Sequence, residues 1–533
     1  MGKNKCISQR FKALIACIYA ISFPSFAFGY SLSNMSLEEK IGQLMIVSFQ
    51  GSQANADAQF LIQKIKVGGF IYYNWANQLD SFEKVQKLSL ELQHLALKNP
   101  DPIALFICAD QEGGKVARLK AGFTEFPGNR ALAATLDPEL AYQSAQAIAE
   151  QMLAAGLNMN LAPVVDVNSN ENNPVIGLRS FGQDPNTTIS FGEQALRGYK
   201  KANMIAVLKH FPGHGAVTVD SHDQLPYVGK TIEELEKVDL APFSKLASDA
   251  QVIMTAHLLV PALDQDNCST FSKKTIEYLR KNLGFQGIVM TDSLTMGGAL
   301  AYGISVQEAA IQALNAGADL LLFGGKTLDG SLVRSTLSVE QIYAIQQALV
   351  LAVKNQRIAP ERIDEAVEKI LLLKKKYLHD ALAFEYQHIE KKQEHDNLAK
   401  KIARSALHAV IDPNNFLKNL SKKNIVCFYA PSLQSKIAST SFFSNNRCFS
   451  LDILELNPLK NPSFSHDVSV VFTDNLWKDP LQKHQLEVLK KPLVIIETCS
   501  EVKKDLHPMA DAIVYTFSAT AVSLQAAWDE LVN

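Results

Sequence analysis

The chain has seven cysteines in 533 residues, and no two stand in a CxxC pair. That scatter excludes a cysteine-rich zinc motif and a dense disulfide framework. The chain also lacks charge of one sign. Its 52 basic and 54 acidic residues leave a formal charge of −2. This excludes nucleic acid or an anionic surface as the main partner. No GxxxxGK[ST] loop is present, so no nucleotide phosphate cradle is expected. No internal repeat or low-complexity tract interrupts the pattern. An uninterrupted apolar run of the ~20 residues needed to span a membrane is missing as well.

The nearest thing to such a run is "ALIACIYAISFPSFAFG", residues 13–29, broken by Pro24. Lys3, Lys5, Arg10 and Lys12 precede it. A basic start, a short apolar core and small residues at Ala27 and Gly29 describe a secretory leader over residues 1–29, cleaved after Gly29. The expected location is therefore exported, periplasmic or secreted, with no stable membrane span after cleavage. An uncleaved anchor is the main alternative. "LIAC" at 14–17 resembles a lipoprotein box, but it leaves almost no apolar core before Cys17. Cleavage removes Cys6 and Cys17. Cys108 and Cys499 read as buried small hydrophobes in apolar strands, and a Cys427–Cys448 pairing stays open.

What the chain does have is length, and 47% apolar residues to fill cores. That size calls for two domains or more. Over residues 30–378, eight short apolar runs alternate with amphipathic stretches. The runs are "GQLMIVSF", "GGFIYY", "IALFICAD", "LNMNLAPVVDV", "MIAVLKH", "QVIMTAH", "GIVMTDS" and "DLLLFGG". Continuous apolar strands are buried on both faces, as in a parallel sheet. Eight of them predict a (β/α)8 barrel. A charged linker follows over 379–400. Residues 401–533 hold four more strand-like runs and predict a smaller α/β domain.

Polar residues gather where the barrel strands end. Asp110, Asp166, the Lys209–His210 pair, His257 and Asp292 end or follow strands three to seven. A barrel of this kind gathers its chemistry at that face. Asp292 in "MTDSLTMGGA" reads locally as a helix cap, or as a carboxylate able to attack an anomeric carbon. The segment "KHFPGHGAVTVDSH", 209–222, packs Lys209, His210, His214, Asp220 and His222 into a glycine-rich loop. If that segment is extended, Asp220 and His222 share a side, and the carboxylate orients the imidazole for proton transfer. A zinc site from His210, His214, Asp220 and His222 is the competing reading. Its spacing matches no compact zinc motif, and Lys209 would set a cation beside the ion. No metal or other cofactor is expected.

Together, "DQEGGKVAR" (110–118), "RSFG" (179–182), "KHFPGHGAVTVDSH", "MTAH" (254–257) and "MTDSLTMGGA" resemble glycoside hydrolase family 3 over residues 35–378. The likeness is to its bacterial β-N-acetylhexosaminidase branch. The C-terminal region resembles, loosely, the second domain of some members. The resemblance implies Asp292 as nucleophile and His222 as general acid/base, oriented by Asp220. It implies Asp110, Arg118, Arg179, Lys209 and His210 as sugar-binding residues, with His214 and His257 in supporting positions. The expected partners are carbohydrates: N-acetylglucosaminides, muropeptides or chito-oligosaccharides. Two departures stand out: Ser293, where relatives carry a second acid, and Lys115, where arginine is frequent. A β-glucosidase, a phosphorolytic variant and an exported sugar-binding protein are the alternatives. The oligomeric state is open.

Overall fold

The computed structural model describes residues 32–532, other than 326–335, 379–388, 408–409, 413–414, 446–447, 455–465, 490–491, 500–501 and 503–509. The expected leader and the first part of the expected linker lie outside the described residues.

Ten short strands precede residue 324. They are β1 (Met45–Val47), β2 (Gly69–Ile71), β3 (Phe106–Ala109), β4 (Gln111–Gly113), β5 (Val116–Ala117), β6 (Met159–Asn160), β7 (Ile205–Phe211), β8 (Val252–Thr255), β9 (Ile288–Thr291) and β10 (Leu321–Phe323). Eight of them pair in the order β10-β1-β2-β3-β6-β7-β8-β9, parallel throughout. A parallel bridge between Met290 and Leu320 brings the last edge onto the first. The result is the expected eight-stranded barrel. Every residue of these eight strands is buried, which is why each reads as a continuous apolar run. The remaining two, β4 and β5, form a small antiparallel hairpin beyond β3.

Helices cover the barrel. Ser81 accepts the Lys84 N–H (3.3 Å) to start Phe82–Leu97, and Val85, Leu88, Leu92 and Ala96 of that helix are buried. Their spacing of three and four gives the helix one apolar face against the strands. Asp184 caps Pro185–Lys201 by accepting the Thr187 N–H (2.8 Å). Each such cap is worth about 1 kcal/mol. At the far end of the barrel, buried Asp319 takes Arg280 (2.7 Å), Arg362 (2.5 Å) and Lys369 (3.3 Å). That cluster ties the outer helices to the start of β10.

The second domain is a six-stranded sheet: β11 (Val410–Ile411), β12 (Ile425–Tyr429), β13 (Cys448–Ser450), β14 (Val468–Asp474), β15 (Leu493–Thr498) and β16 (Ala512–Tyr515). The order is β11-β16-β15-β14-β12-β13, with β11 antiparallel to its neighbour and the rest parallel. The four long strands fall on the four apolar runs. The two short edge strands, β11 and β13, were not legible. Cys427 and Cys448 are register partners on β12 and β13, and both thiols are free. The helix Ala521–Val532 lays Leu524, Trp528 and Leu531 on this sheet. Phe442 stacks on both Trp528 (4.8 Å) and Phe472 (5.1 Å).

Between the domains runs the helix Lys392–Ser405, whose Asp396 accepts the Thr124 hydroxyl (2.7 Å). Glu125 of the barrel accepts from the Lys436 ammonium and from the Ala521 N–H (3.0 Å). Arg130 lies over the Phe517 ring at 4.7 Å. Among the described residues no helix is long and apolar enough to cross a membrane.

Candidate active site

A cavity of about 270 Å³ opens at the C-terminal ends of the barrel strands. Asp110, Arg118, Arg179, Lys209, His210, His222 and Asp292 all line it. Residues spread from 110 to 292 therefore meet at one place, as the strand-end argument expects.

The cavity floor is a charged cluster. Lys209 is 1% exposed, and its ammonium meets Asp110 (2.7 Å) and Glu112 (2.8 Å). Arg179 grips Glu112 through two parallel bonds, Nε to Oε2 (2.9 Å) and Nη2 to Oε1 (2.8 Å). Such paired, charge-assisted bonds are short and directional. Burial alone would raise the Glu112 carboxyl, but Arg179 and Lys209 more than offset it and hold it down at about 2. Asp110 is lowered for the same reasons, burial opposing Lys209 and Arg118. Arg118 stands 3.5 Å from Asp110 and over the Tyr73 ring at 5.7 Å. The register of β7 against β8 shifts between Lys209 and Phe211. A bulge of this kind re-aims side chains, and the adjacent Lys209 and His210 both reach the cavity.

Behind the floor lies Asp166. Its carboxylate accepts from His210 Nδ1 (2.6 Å) and from the His210 and His214 backbone N–H groups (3.2 and 2.7 Å). Gly213 sits at φ 125, and a side chain on Gly215 would strike the Val167 carbonyl. The loop needs glycine at both positions to fold this close to the barrel. His214, buried in that fold, reaches Ser221 Oγ through Nε2 (2.8 Å). Burial, reinforced by His210, pushes its imidazole down to about 4, so it is neutral at pH 7.

Ser221 lies between the two residues of the expected proton shuttle. Asp220 Oδ1 accepts both the His222 backbone N–H (2.8 Å) and its Nδ1–H (2.7 Å). The segment is a turn rather than an extended strand. The contact therefore arises because the carboxylate closes back on the next residue but one. The His222 imidazole is raised above its ordinary value by the Asp220 bond, against burial and with help from Asp292. Nε2 of His222 has no protein partner among the described residues. Gly297 and Gly298 donate to the His222 and Ser221 carbonyls (2.9 and 3.0 Å). The loop after β9 thus fastens the His222 loop from the other side.

Asp292 follows β9 directly, and its Oδ1 accepts the Ser293 N–H (2.7 Å). It caps no helix: the next α-helix, Val306–Ala316, starts on Ser305, and the short 3-10 turn before it on Leu300. Burial would raise its carboxyl, but His210, His257 and His222 outweigh that and lower it. An ionised carboxylate and a protonatable imidazole therefore share one cavity. Ser293 turns its hydroxyl to the Gly324 carbonyl and to Thr295 Oγ1 (2.9 Å). His257 bridges Thr270 Oγ1 and the Ser293 carbonyl, both at 2.9 Å. His210, His214 and His222 thus have three separate partners: Asp166, Ser221 and Asp220. Among the described residues no group of three or more His, Cys, Asp or Glu side chains is placed to hold a metal ion.

A parallel barrel carrying a half-buried, ionised carboxylate and an oriented imidazole at its C-terminal face defines a class of site suited to acid–base chemistry. Comparison with known proteins narrows that class. Residues 36–373 match the glycosyl hydrolase family 3 N terminal domain, and the chain belongs to that family. It is 34% identical over 334 residues to Beta-hexosaminidase A of Pseudoalteromonas piscicida, covering 59% of this chain and 54% of that protein. The chain thus spans about half the length of that relative. It is 34% identical over 281 residues to a Beta-hexosaminidase of Pseudomonas aeruginosa, covering 52% of this chain and 81% of the other. Among solved structures, a glycoside hydrolase family 3 beta-N-acetylglucosaminidase from Paenibacillus sp. str. FPU-7 superposes with a TM-score of 0.83. The identity is 32%, over 93% of this chain and 97% of that one.

Proposed function

We propose that the protein is a retaining, exo-acting β-N-acetylhexosaminidase. It removes terminal β-linked N-acetylglucosamine from peptidoglycan fragments or chitin-type oligosaccharides outside the cytoplasm. The observation that carries this reading is the pairing of His222 with Asp220 at the mouth of the cavity that Asp292 lines. The family and the similarity to named β-hexosaminidases support it.

In this reading the sugar rests against Asp110, Arg118, Arg179, Lys209 and His210. The ion pairs already made by Lys209 and Arg179 fix these groups before substrate arrives, which lowers the ordering cost of binding. Ionised Asp292 attacks C1. Protonated His222 gives its Nε2 proton to the leaving oxygen as the glycosidic bond breaks. The glycosyl–Asp292 ester forms with inversion. Neutral His222 then takes a proton from water, water attacks C1, and the second inversion restores the original configuration. Asp220 accepts Nδ1–H throughout and stabilises the imidazolium.

A slow 5-fluoro N-acetylglucosaminide tests the proposal. The expected result is a stoichiometric adduct that peptide mass spectrometry places on Asp292. An adduct on another carboxylate, or release of an inverted sugar, would overturn it.

A further inference from the structure

A larger cavity, of about 640 Å³, lies between the two domains, beside the catalytic cavity. One wall comes from the second domain. Ser432, Ser435 and Lys436 follow β12, and Asp474 and Asn475 end and follow β14. From β12 the chain moves outward to β13 and then returns to pair β14 on the opposite side of β12. The carboxyl ends of β12 and β14 therefore flank the point where strand order reverses. In open parallel sheets that crevice is where small ligands bind.

The other wall comes from the barrel. Lys115, Ala117 and Leu119 of the β4–β5 hairpin and its exit line the crevice. Val116 and Arg118 line the catalytic cavity instead. Successive residues of a strand face opposite ways, so the wall between the two cavities is one chain thick.

The charge in the crevice is unevenly satisfied. Glu125 is occupied by Lys436 and the Ala521 N–H. Asp474 accepts from the Ser432 hydroxyl, the Thr498 hydroxyl and the Asn475 amide, each within 3.1 Å. Both acids thus have protein partners. Lys115 and Lys120 are exposed, and neither makes an ion pair among the described residues. The crevice presents two uncommitted ammonium groups among serine hydroxyls.

We propose that this crevice is a second ligand site, for a small hydroxyl-rich anion such as an acidic or phosphorylated sugar. The lysines take the anionic group, and Ser435, Ser439 and Asn475 take the hydroxyls. The site is separate from the catalytic cavity.

Calorimetric titration of the full-length protein tests this, with D-glucuronate and D-glucose 6-phosphate as probes and neutral D-glucose as reference. At least one anion is expected to bind one-to-one, with glucose giving no saturable heat. A preference for glucuronate would mark a carboxylate ligand, and a preference for glucose 6-phosphate a phosphorylated one. The double variant Lys115→Ala/Lys120→Ala, and separately Lys115→Gln/Lys120→Gln, is expected to weaken binding about tenfold or more. Absence of binding by both anions would overturn the proposal. So would equal binding of glucose, or affinity unchanged in the lysine variants, which would place the anion at Arg118 and Arg179.

Discussion

Two carboxylates sit near strand ends in the two domains, one half-buried and one fully buried, and they behave oppositely. Asp292 follows barrel strand β9. Glu497 lies near the end of β15 in the second domain. Burial raises both. At Asp292 three imidazoles, on His210, His257 and His222, outweigh burial and keep the group ionised. At Glu497 the neighbours are the Thr473 hydroxyl, the Leu476 N–H (2.9 Å) and the like charge of Asp474, and burial wins: the group is pushed up to about 7. A parallel sheet sets polar groups at its carboxyl edge in both domains. Whether one is held ionised or protonated depends on the groups around it.

The sharpest way to break this comparison is to remove the charge that the barrel maintains. Asp292→Asn keeps the shape and loses the proposed nucleophile. Steady-state turnover of an aryl N-acetylglucosaminide is expected to fall about 10,000-fold, with thermal stability changed little. Next in size is His222→Ala. Turnover of a substrate with a poor leaving group is expected to fall about 100- to 10,000-fold, and that of an activated aryl glycoside far less. In the native protein the rate on a poor leaving group should decline as pH rises through the raised His222 value. Asp220→Asn removes the main cause of that elevation. The alkaline limb is then expected to move down toward ~6.5, the ordinary imidazole value.

The cation network around Asp110 and Glu112 gives a third test, read as stability. Glu112→Gln leaves Lys209 and Arg179 buried against a neutral amide. Breaking one side of such a cluster costs about 3–5 kcal/mol, so the urea midpoint of the barrel's unfolding is expected to fall. A midpoint unchanged within error would mean that the cluster is hydrated rather than locked. A smaller effect is expected at His214→Ala, which frees Ser221 and loosens the loop carrying His222. A loss in kcat of about 10- to 100-fold is expected from misplacement alone. The alkaline limb should stay where it is, because Asp220 still holds His222. Ser221→Ala should mimic it, and the double variant should fall short of the product of the two.

The barrel was legible because its strands are buried on both faces and so read as unbroken apolar runs ending in Asp, Lys or His. The Asp220–His222 contact was legible because the two residues are two apart, although the local geometry is a turn and not a strand. Glu112 was missed. It stands inside "DQEGGKVAR", but its meaning depends on Arg179, 67 positions away, and on Lys209. Asp166 was seen to follow the fourth strand, yet nothing local shows that His210, 44 positions on, closes upon it. The same holds for His214, whose bond to Ser221 exists only because Gly213 and Gly215 let the loop fold back. Contacts set by the curvature of a barrel are not written in the spacing of one chain. The β4–β5 hairpin and edge strands β11 and β13 escaped for a simpler reason: none stands inside a long apolar run of the kind that marks the barrel strands.

The smallest effect is expected at Glu497, and its sign is what matters. A carboxyl raised from 4.5 to about 7 by folding binds more protons in the native than in the unfolded protein between those values. Stability of the second domain must then fall as pH rises through that window and level off above it. Glu497→Gln keeps an acceptor for the Leu476 N–H and removes the titration. Thermal unfolding of the variant is expected to be flat between pH 4.5 and 7 where the native protein declines, with glycosidase activity unchanged. A native protein whose second domain gains stability across that interval would mean that Glu497 is ionised like Asp292. The contrast between the two strand ends would then have no basis in their neighbours.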